Sequence, residues 1–316
     1  MVRHLLEVNQ VVKNYGDKQI LKEISFKVEK GDSFGFLGPN GAGKSTLISI
    51  ITGLYQPTDG YVLIEGYDMK GQQKKAQQMI GIVPQEIALY LNMTAKENLT
   101  FWGRMYGLKG KLLKKRVRET LEIIGLEERA NDKVKLFSGG MKRRVNIGCA
   151  ILHKPKILIM DEPTVGIDSQ SRNHILETVK RLNQDGMTIV YTSHYMEEVE
   201  YLCDKIGIID QGSLVALGTI AELSKLVEEQ REIILTIKNN KADIERVCNY
   251  IRESYPSKDF NVDGQKFRIS DQKPQEFISK FIQVLTDMKV EIISAEVVEP
   301  NLENVFLYLT GKKLRD

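Results

Sequence analysis

A glycine-rich segment near the N-terminus has the residue types and the spacing of a phosphate-binding loop. Residues 38–46 read Gly-Pro-Asn-Gly-Ala-Gly-Lys-Ser-Thr and match the pattern GxxxxGK[ST]. Glycines let the backbone wrap closely around a phosphate, and a helix that follows adds the positive end of its dipole. Lys44 is then expected at the β- and γ-phosphates, and the Ser45 hydroxyl at Mg²⁺. The nucleotide-binding candidates are Gly38, Asn40, Gly41, Ala42, Gly43, Lys44, Ser45 and Thr46.

Two acids stand at the end of an apolar run. Ile157-Leu-Ile-Met160 is typical of a buried strand, and Asp161 and Glu162 follow it directly. Ligands in open α/β sheets bind at the carboxyl ends of the strands. We therefore predict that Asp161 holds Mg²⁺, directly or through a water, and that Glu162 polarises an attacking water. Two solvated acids at a strand end are the alternative, which the phosphate-binding loop in the same chain disfavours.

The surrounding pattern predicts the elements that position these residues. Ser33–Leu37 is an apolar strand leading into the loop, and residues 46–51 continue as a helix. Alternation at Ile24, Phe26 and Val28 predicts an antiparallel strand, as does the segment 61–65. Continuous apolar runs at 188–191 and 206–209 predict parallel strands covered on both faces. The predicted fold class is α/β: a phosphate-loop core with an N-terminal antiparallel β-subdomain and a helical insertion at about 86–150.

The order of predicted strands and helices changes near residue 221. From there the pattern predicts the order β-α-β-β-α-β, with a hairpin turning at Asp263-Gly264. This order is the ferredoxin-like plan. We therefore predict two domains, residues 1–220 with the nucleotide site and residues 221–316 as a small accessory α+β domain.

The composition of the chain argues against several classes of protein, namely nucleic-acid-binding, disulfide-rich, zinc-binding, secreted and membrane-spanning proteins. The 316 residues carry a formal net charge of +3, which gives no reason to expect nucleic acid as a partner. Three separated cysteines predict neither a disulfide framework nor a zinc site. The chain shows neither a secretory signal nor an apolar run of the roughly 18 residues that a membrane helix needs. If the protein serves a membrane, a separate chain is expected to supply the spanning part.

A third anion-binding pattern connects these features to one family. The segment Leu136-Phe-Ser-Gly-Gly-Met-Lys-Arg-Arg144 resembles the signature motif of ATP-binding cassette (ABC) ATPases, and the resemblance extends over nearly all of residues 5–218. In that family Ser138, Gly139 and Gly140 would contact the γ-phosphate of ATP bound to a second subunit. Met141 stands where many members carry glutamine. The form of this motif and the tail at 299–311 resemble the branch of bacterial exporters of drugs, polysaccharides or small ions.

The resemblance implies roles for four further residues. Tyr15 would stack on adenine, and Gln85 would touch Mg²⁺ or water and link the site to the transporter body. Asp168 would lie in the loop that crosses the dimer interface, and His194 would be the switch histidine near the γ-phosphate. The catalytic set is then Lys44, Gln85, Glu162 and His194.

The same resemblance implies the assembly. ATP would close a head-to-tail dimer of nucleotide-binding subunits, homo- or heteromeric, and hydrolysis would reopen it. The dimer would power a separate transmembrane permease from the cytoplasmic face of the cell membrane. A soluble ABC-type ATPase of translation or DNA repair is the alternative. Against it, the chain has one phosphate loop and one signature, and the interval between Lys44 and Asp161 is too short for a long coiled coil.

Three surface features allow two interpretations each. The apolar side chains after Gln85 either dock the permease or form the core of the insertion: Leu89, Tyr90, Leu91, Met93, Leu99, Phe101 and Trp102. The basic run 109–118 is either a solvated helix face or a surface for anionic lipid headgroups. The apolar stripe in residues 302–309 either packs on its own small domain or pairs with a second subunit.

Overall fold

The structure, a computed structural model, describes residues 4–227, 232–238, 240–256, 258, 260–271, 274–298 and 302–311. The chain divides into two compact units between Ile220 and Ala221. The strands of the first unit are β1 (His4–Tyr15), β2 (Lys18–Glu29), β3 (Ser33–Leu37), β4 (Asp59–Ile64), β5 (Tyr67–Asp68), β6 (Ile80–Val83), β7 (Ile157–Asp161), β8 (Thr188–Thr192), β9 (Lys205–Asp210) and β10 (Ser213–Gly218). Its helices are α1 (Lys44–Ile51), α2 (Gln73–Gln77), α3 (Ala95–Met105), α4 (Gly110–Ile123), α5 (Gly139–Ile151), α6 (Ser169–Gln184) and α7 (Met196–Leu202), with a 3₁₀ turn at Val134–Leu136. Helix α8 (Ile220–Lys225) begins at the division, and its other residues belong to the second unit.

Two sheets form the body of the first unit. The antiparallel sheet has the order β2-β1-β4-β5, and the six-stranded sheet has the order β10-β9-β3-β8-β7-β6. In the larger sheet β9, β3, β8, β7 and β6 run parallel, whereas β10 pairs antiparallel with β9. The predicted α/β core with an N-terminal antiparallel subdomain is therefore confirmed. The sequence pattern did not predict the antiparallel edge strand β10.

Apolar packing between the sheets explains why these strands form. Ile24, Phe26 and Val28, the alternating residues of β2, are all buried in one core with residues of β3, α1, β7 and β9. Phe26, Phe34 and Phe36 meet with ring centroids 4.9–5.3 Å apart. Burial of such side chains is the main favourable term in folding, at roughly 25 cal/mol per Å² of apolar area. This core fixes β3, and with it the start of the phosphate-binding loop.

Helices α3, α4 and α5 share a separate apolar core within the first unit. Leu99 is fully buried there, and Leu89 and Trp102 pack against the same cluster, so these residues form core. Met93 and Phe101 are half-buried. Tyr90 and Leu91 remain about half exposed, which makes them the most accessible of the seven docking candidates. The side chain of Met141 also packs on this core.

Most of the basic run lies on α4, and three of its six basic residues pair with acids of the same helix. Lys115 and Arg116 lie 3.7 Å and 2.9 Å from the Glu119 carboxylate, and Arg118 lies 3.2 Å from that of Glu122. Pairs three or four residues apart are the usual partners on an exposed helix. These pairs favour the interpretation of residues 109–118 as a solvated helix face over a surface for anionic lipid headgroups.

The second unit contains strands β11 (Glu232–Ile237), β12 (Phe260–Asp263), β13 (Lys266–Ser270) and β14 (Ile292–Val298) and helices α9 (Lys241–Ser254), α10 (Pro274–Asp287) and α11 (Leu302–Thr310). Its sheet has the order β12-β13-β11-β14 with every pair antiparallel, which is the predicted ferredoxin-like arrangement. The hairpin turns at Asp263-Gly264, as predicted, with Gly264 at φ 59°. In α11 Leu302, Val305 and Phe306 are buried. Residues 299–301 of the tail lie outside the described residues.

The three cysteines are free; Cys149 and Cys203 are buried, and Cys248 is half-buried. Among the described residues, no helix combines the length and the hydrophobicity needed to cross a bilayer.

Candidate nucleotide site

The phosphate-binding loop connects the buried strand β3 to α1. Gly43, the last loop residue, has φ 107°, a left-handed conformation that glycine adopts without strain. Gly38 passes so close to β9 that a Cβ atom there would lie 2.4 Å from the Ile209 carbonyl oxygen. The loop therefore lies close against its supports.

Lys44, the first residue of α1, lies back across this loop. Its Nζ donates hydrogen bonds to the carbonyl oxygens of Gly38 (2.7 Å) and Pro39 (3.2 Å), and only 6% of the residue is exposed. Burial lowers the pKa of the Lys44 ammonium, and the nearby charges of Glu162 and Asp161 oppose that shift. Ser45 follows in the first turn of α1 and is exposed, and Thr46 is half-buried.

The two acids occupy the end of β7, beside the end of β8. Asp161 accepts a hydrogen bond of 2.6 Å from the Thr192 hydroxyl. The Glu162 N–H donates to the Thr192 hydroxyl oxygen (2.9 Å) and is 3.1 Å from its carbonyl oxygen. Glu162 has φ 45°, an unfavourable conformation for a residue with a Cβ, and such strain clusters at functional sites. Thr192 thus fixes both acids, a role that no local sequence pattern predicts.

The Glu162 carboxylate lies between two cationic or ionisable groups. One oxygen is 3.9 Å from Lys44 Nζ, and the other is 3.3 Å from His194 Nδ1. His194 follows β8, and its ring packs at 4.1 Å, centroid to centroid, against that of Tyr195. Because β3, β8 and β7 are neighbours in the sheet, the residues that follow them meet at one edge. The structure therefore brings together Lys44, Asp161, Glu162 and His194.

The Ser138-Gly139-Gly140 turn is placed on other elements. Ser138 caps α5 by accepting a hydrogen bond from the Met141 N–H at 3.2 Å, and Gly139 is exposed. Gly140 is buried, and a Cβ there would lie 2.2 Å from the Cβ of Ser171. Asp168 caps α6 by accepting from the Ser171 N–H, a bond that lowers the pKa of its carboxyl. The starts of α5 and α6 thus meet, and Ser138 and Gly139 of the turn remain exposed.

Gln85 follows β6 and has an exposed side chain. Its carbonyl oxygen accepts from the guanidinium of buried Arg143 at 2.5 Å, and the Pro84 carbonyl accepts from the same group at 2.6 Å. Arg143 lies on α5, so it connects the Gln85 segment to the helix that follows the Ser-Gly-Gly turn. Arg143 was not predicted from the sequence, since one arginine in a basic run resembles its neighbours.

Tyr15, at the end of β1, is 47% exposed. Its ring makes an edge contact with Tyr55 at 6.4 Å, and Lys13 Nζ lies 5.1 Å from its centroid. The ring is therefore available for stacking with a planar ligand.

The close approach of Gly38 makes a testable prediction. Gly38→Ala would force the loop away from the Ile209 carbonyl, and we expect ATP affinity to fall on the order of tenfold as the N–H groups move. Titration with a fluorescent ATP analogue measures the change. Gly71→Ala is the matched control, because the atom nearest to an added Cβ there is 4.0 Å away. Equal affinities for the two variants would contradict the prediction.

Comparison with known proteins agrees with this geometry. The model of the family described as ABC transporter matches residues 21–165. The chain is 52% identical over 314 residues to the linearmycin resistance ATP-binding protein LnrL of Bacillus subtilis, covering 99% of this chain and 100% of that protein. It is 34% identical to the Nod factor export ATP-binding protein I of Sinorhizobium fredii, covering 98% of this chain and 87% of that protein.

Solved structures give the same result. The ADP- and phosphate-bound dimer of the ATP-binding cassette MJ0796 superposes with a TM-score of 0.62 at 29% identity, covering 68% of this chain and 98% of that one. CbiO1 of Clostridium perfringens, part of the transporter complex cbiONQ, has a TM-score of 0.65 at 26% identity over 80% of this chain and 96% of that one. The chain therefore belongs to the ABC transporter family, as a subunit that binds and hydrolyses ATP.

Proposed function

We propose that this chain is the motor of an exporter: it binds Mg²⁺–ATP at the edge formed by β3, β8 and β7, closes as a head-to-tail dimer, and reopens after hydrolysis. The observation that carries this proposal is the Glu162 carboxylate, which lies 3.9 Å from Lys44 Nζ and 3.3 Å from His194 Nδ1. A carboxylate between two such groups, beside a phosphate-binding loop, suits attack of water on a γ-phosphate.

Each residue has a defined role in this proposal. Loop N–H groups and Lys44 hold the phosphates, and Tyr15 stacks on adenine. Glu162 accepts a hydrogen bond from the attacking water and polarises it, while His194 and Lys44 stabilise the charge that develops on the γ-phosphate. The other subunit's Ser138-Gly139-Gly140 turn completes the site with its N–H groups and helix dipole. Asp168 lies at the start of α6, beside that turn, and would cross the same interface.

The donor set at this edge fits Mg²⁺. The Ser45 hydroxyl is exposed in the first turn of α1, and the Asp161 carboxylate is held in place by Thr192. Hard oxygen ligands of this kind, together with water and phosphate, are what Mg²⁺ prefers. Ser45 and Asp161 would hold the ion, with Gln85 at its periphery or at the attacking water. When bound, it neutralises charge on the β- and γ-phosphates.

Two kinds of partner follow from this proposal. One is a second nucleotide-binding subunit, and because a single chain carries both Glu162 and the Ser-Gly-Gly turn, two copies suffice for two complete sites. The other is a transmembrane permease, which would hold the chain on the cytoplasmic face of the membrane. The names of the relatives in Bacillus subtilis and Sinorhizobium fredii, one for resistance and one for export, support outward transport.

Affinity purification tests the membrane partner. We expect a tagged chain, recovered from detergent-solubilised native membranes, to bring down a polytopic membrane protein identified by mass spectrometry. Tyr90→Asp with Leu91→Asp should reduce that recovery at least about tenfold, since a charge placed in an apolar interface leaves it desolvated and unpaired. Tyr61→Asp is the matched control, at a similarly exposed tyrosine on β4. Recovery of only ribosomal or DNA-bound partners would contradict the exporter proposal.

A further inference from the structure

A buried carboxylate outside the proposed catalytic set ties the site together. Glu198, on α7, is only 2% exposed. Its Oε2 accepts three hydrogen bonds, each of 2.8 Å, from the hydroxyls of Thr164, Tyr191 and Ser193. Its Oε1 lies 3.6 Å from Arg172 Nε on α6. One side chain thus joins three other segments of the chain.

These hydroxyls belong to the segments that carry the proposed catalytic residues. Thr164 lies two residues after Glu162, and Ser193 directly precedes His194. Ser193 Oγ also accepts from the Tyr195 N–H at 2.9 Å, which fixes the turn around His194. Tyr191 lies in β8 itself. The carboxylate is therefore a shared anchor for the loops after β7 and β8.

The energetics of burial show that this anchor must act as an acceptor. Taking a carboxylate out of water is costly unless hydrogen bonds or a counter-charge compensate. Three hydroxyls donate to Oε2, and the Arg172 guanidinium lies near Oε1 without a hydrogen bond to it. Thr164, Tyr191 and Ser193 are themselves at most 1% exposed, so loss of the carboxylate would leave three buried hydroxyls without this acceptor. Burial, and next the charge of Glu198, raise the pKa of the Tyr191 phenol, which keeps that hydroxyl protonated as a donor.

We propose that Glu198 is a positioning residue, which sets the placement of Glu162 and His194 relative to each other through the hydroxyls of Thr164, Tyr191 and Ser193. This inference rests on the catalytic roles proposed above for those two residues. Thr192 ties the strand ends directly, whereas Glu198 holds the loops that continue beyond them. Loss of the anchor displaces the groups that act on the γ-phosphate but leaves the phosphate-binding loop in place.

Steady-state ATP hydrolysis by the full chain tests this role. We expect Glu198→Leu to lower kcat by about 10- to 100-fold, since small misplacements of reacting groups have effects of this size. KM for ATP should stay within about twofold, because Lys44 and its loop are untouched. Glu198→Gln should retain kcat within about threefold, since an amide oxygen still accepts hydrogen bonds from hydroxyls.

Less disruptive substitutions test the proposal if the Glu198→Leu protein fails to fold. Thr164→Val removes one donor of the network and should lower kcat about threefold or more. Thr178→Val is the matched control: it is also buried, but its hydroxyl donates to the His174 carbonyl within α6. Equal kcat for Thr164→Val and Thr178→Val would overturn the proposal, as would a Glu198→Gln protein as inactive as Glu198→Leu. If Glu162→Gln itself retained wild-type kcat, the catalytic role that the proposed function gives to Glu162 would fail instead, whatever the result at Glu198.

Discussion

Glu162→Gln is expected to abolish most ATP hydrolysis while leaving ATP binding intact. An amide cannot polarise water as a carboxylate does, and loss of such a group typically lowers the rate by about 10²- to 10⁴-fold. Binding should persist because the phosphate-binding loop and Lys44 are unchanged. The contacts of Lys44 with the loop carbonyls of Gly38 and Pro39 do not involve the Glu162 side chain. Phosphate release at saturating Mg²⁺–ATP measures the first effect. Size-exclusion chromatography with ATP measures the second, since unhydrolysed ATP should hold the variant as a dimer.

A surface carboxylate provides the control for this experiment. Glu122 on α4 is exposed and paired with Arg118, so Glu122→Gln should leave both the rate and the elution position unchanged. A Glu162→Gln protein that turned over ATP at near the wild-type rate would show that another group polarises the water.

Mixing two inactive variants is expected to restore hydrolysis. Gly139→Asp places a negative charge at an exposed turn that should face the other subunit's γ-phosphate, and it keeps its own Glu162. A Glu162→Gln subunit keeps an intact Ser138-Gly139-Gly140 turn. One site of the mixed dimer then has every required group. With random pairing at equal amounts, we expect about a quarter of the wild-type rate.

The geometry of Gly139 makes this variant suitable. An added Cβ there would meet only Ile167 Cδ1, at 3.4 Å, whereas at Gly140 it would collide with Ser171. Gly139→Asn is the matched neutral variant, and it should retain more activity than Gly139→Asp if charge repulsion is the cause. Background activity at every mixing ratio would contradict a site shared between subunits.

Local sequence patterns predicted the parts of the site that lie on single segments. The apolar strand, the loop and Lys44 form one continuous pattern, and Asp161 and Glu162 follow a strand whose burial its composition already shows. His194 depended on the family resemblance, because one histidine after a strand has no local signature. In the structure, His194 Nδ1 lies 3.3 Å from the Glu162 carboxylate, although the two residues are 32 positions apart in the chain.

Contacts between distant segments could not be predicted in the same way. Glu198 lies in the run Met-Glu-Glu-Val-Glu, which by pattern indicates a solvated helix face. Its burial results from three hydroxyls that come from two other segments, and Arg143 likewise meets carbonyls 58 and 59 residues away. The sequence could not decide whether Leu89, Leu99 and Trp102 form core or dock a partner, because an apolar residue in a helical region can face either one.

The place of β8 in the sheet has a consequence for how the protein matures during synthesis. β8 fills the position between β3 and β7, yet it is made well after both of them. A nascent chain that ends before Thr188 already contains the phosphate-binding loop and both acids, but these lie on strands that pair with each other only through β8. Because domains fold as units while they are synthesised, the ribosome must release residues 188–198 before hydrolysis of ATP can begin.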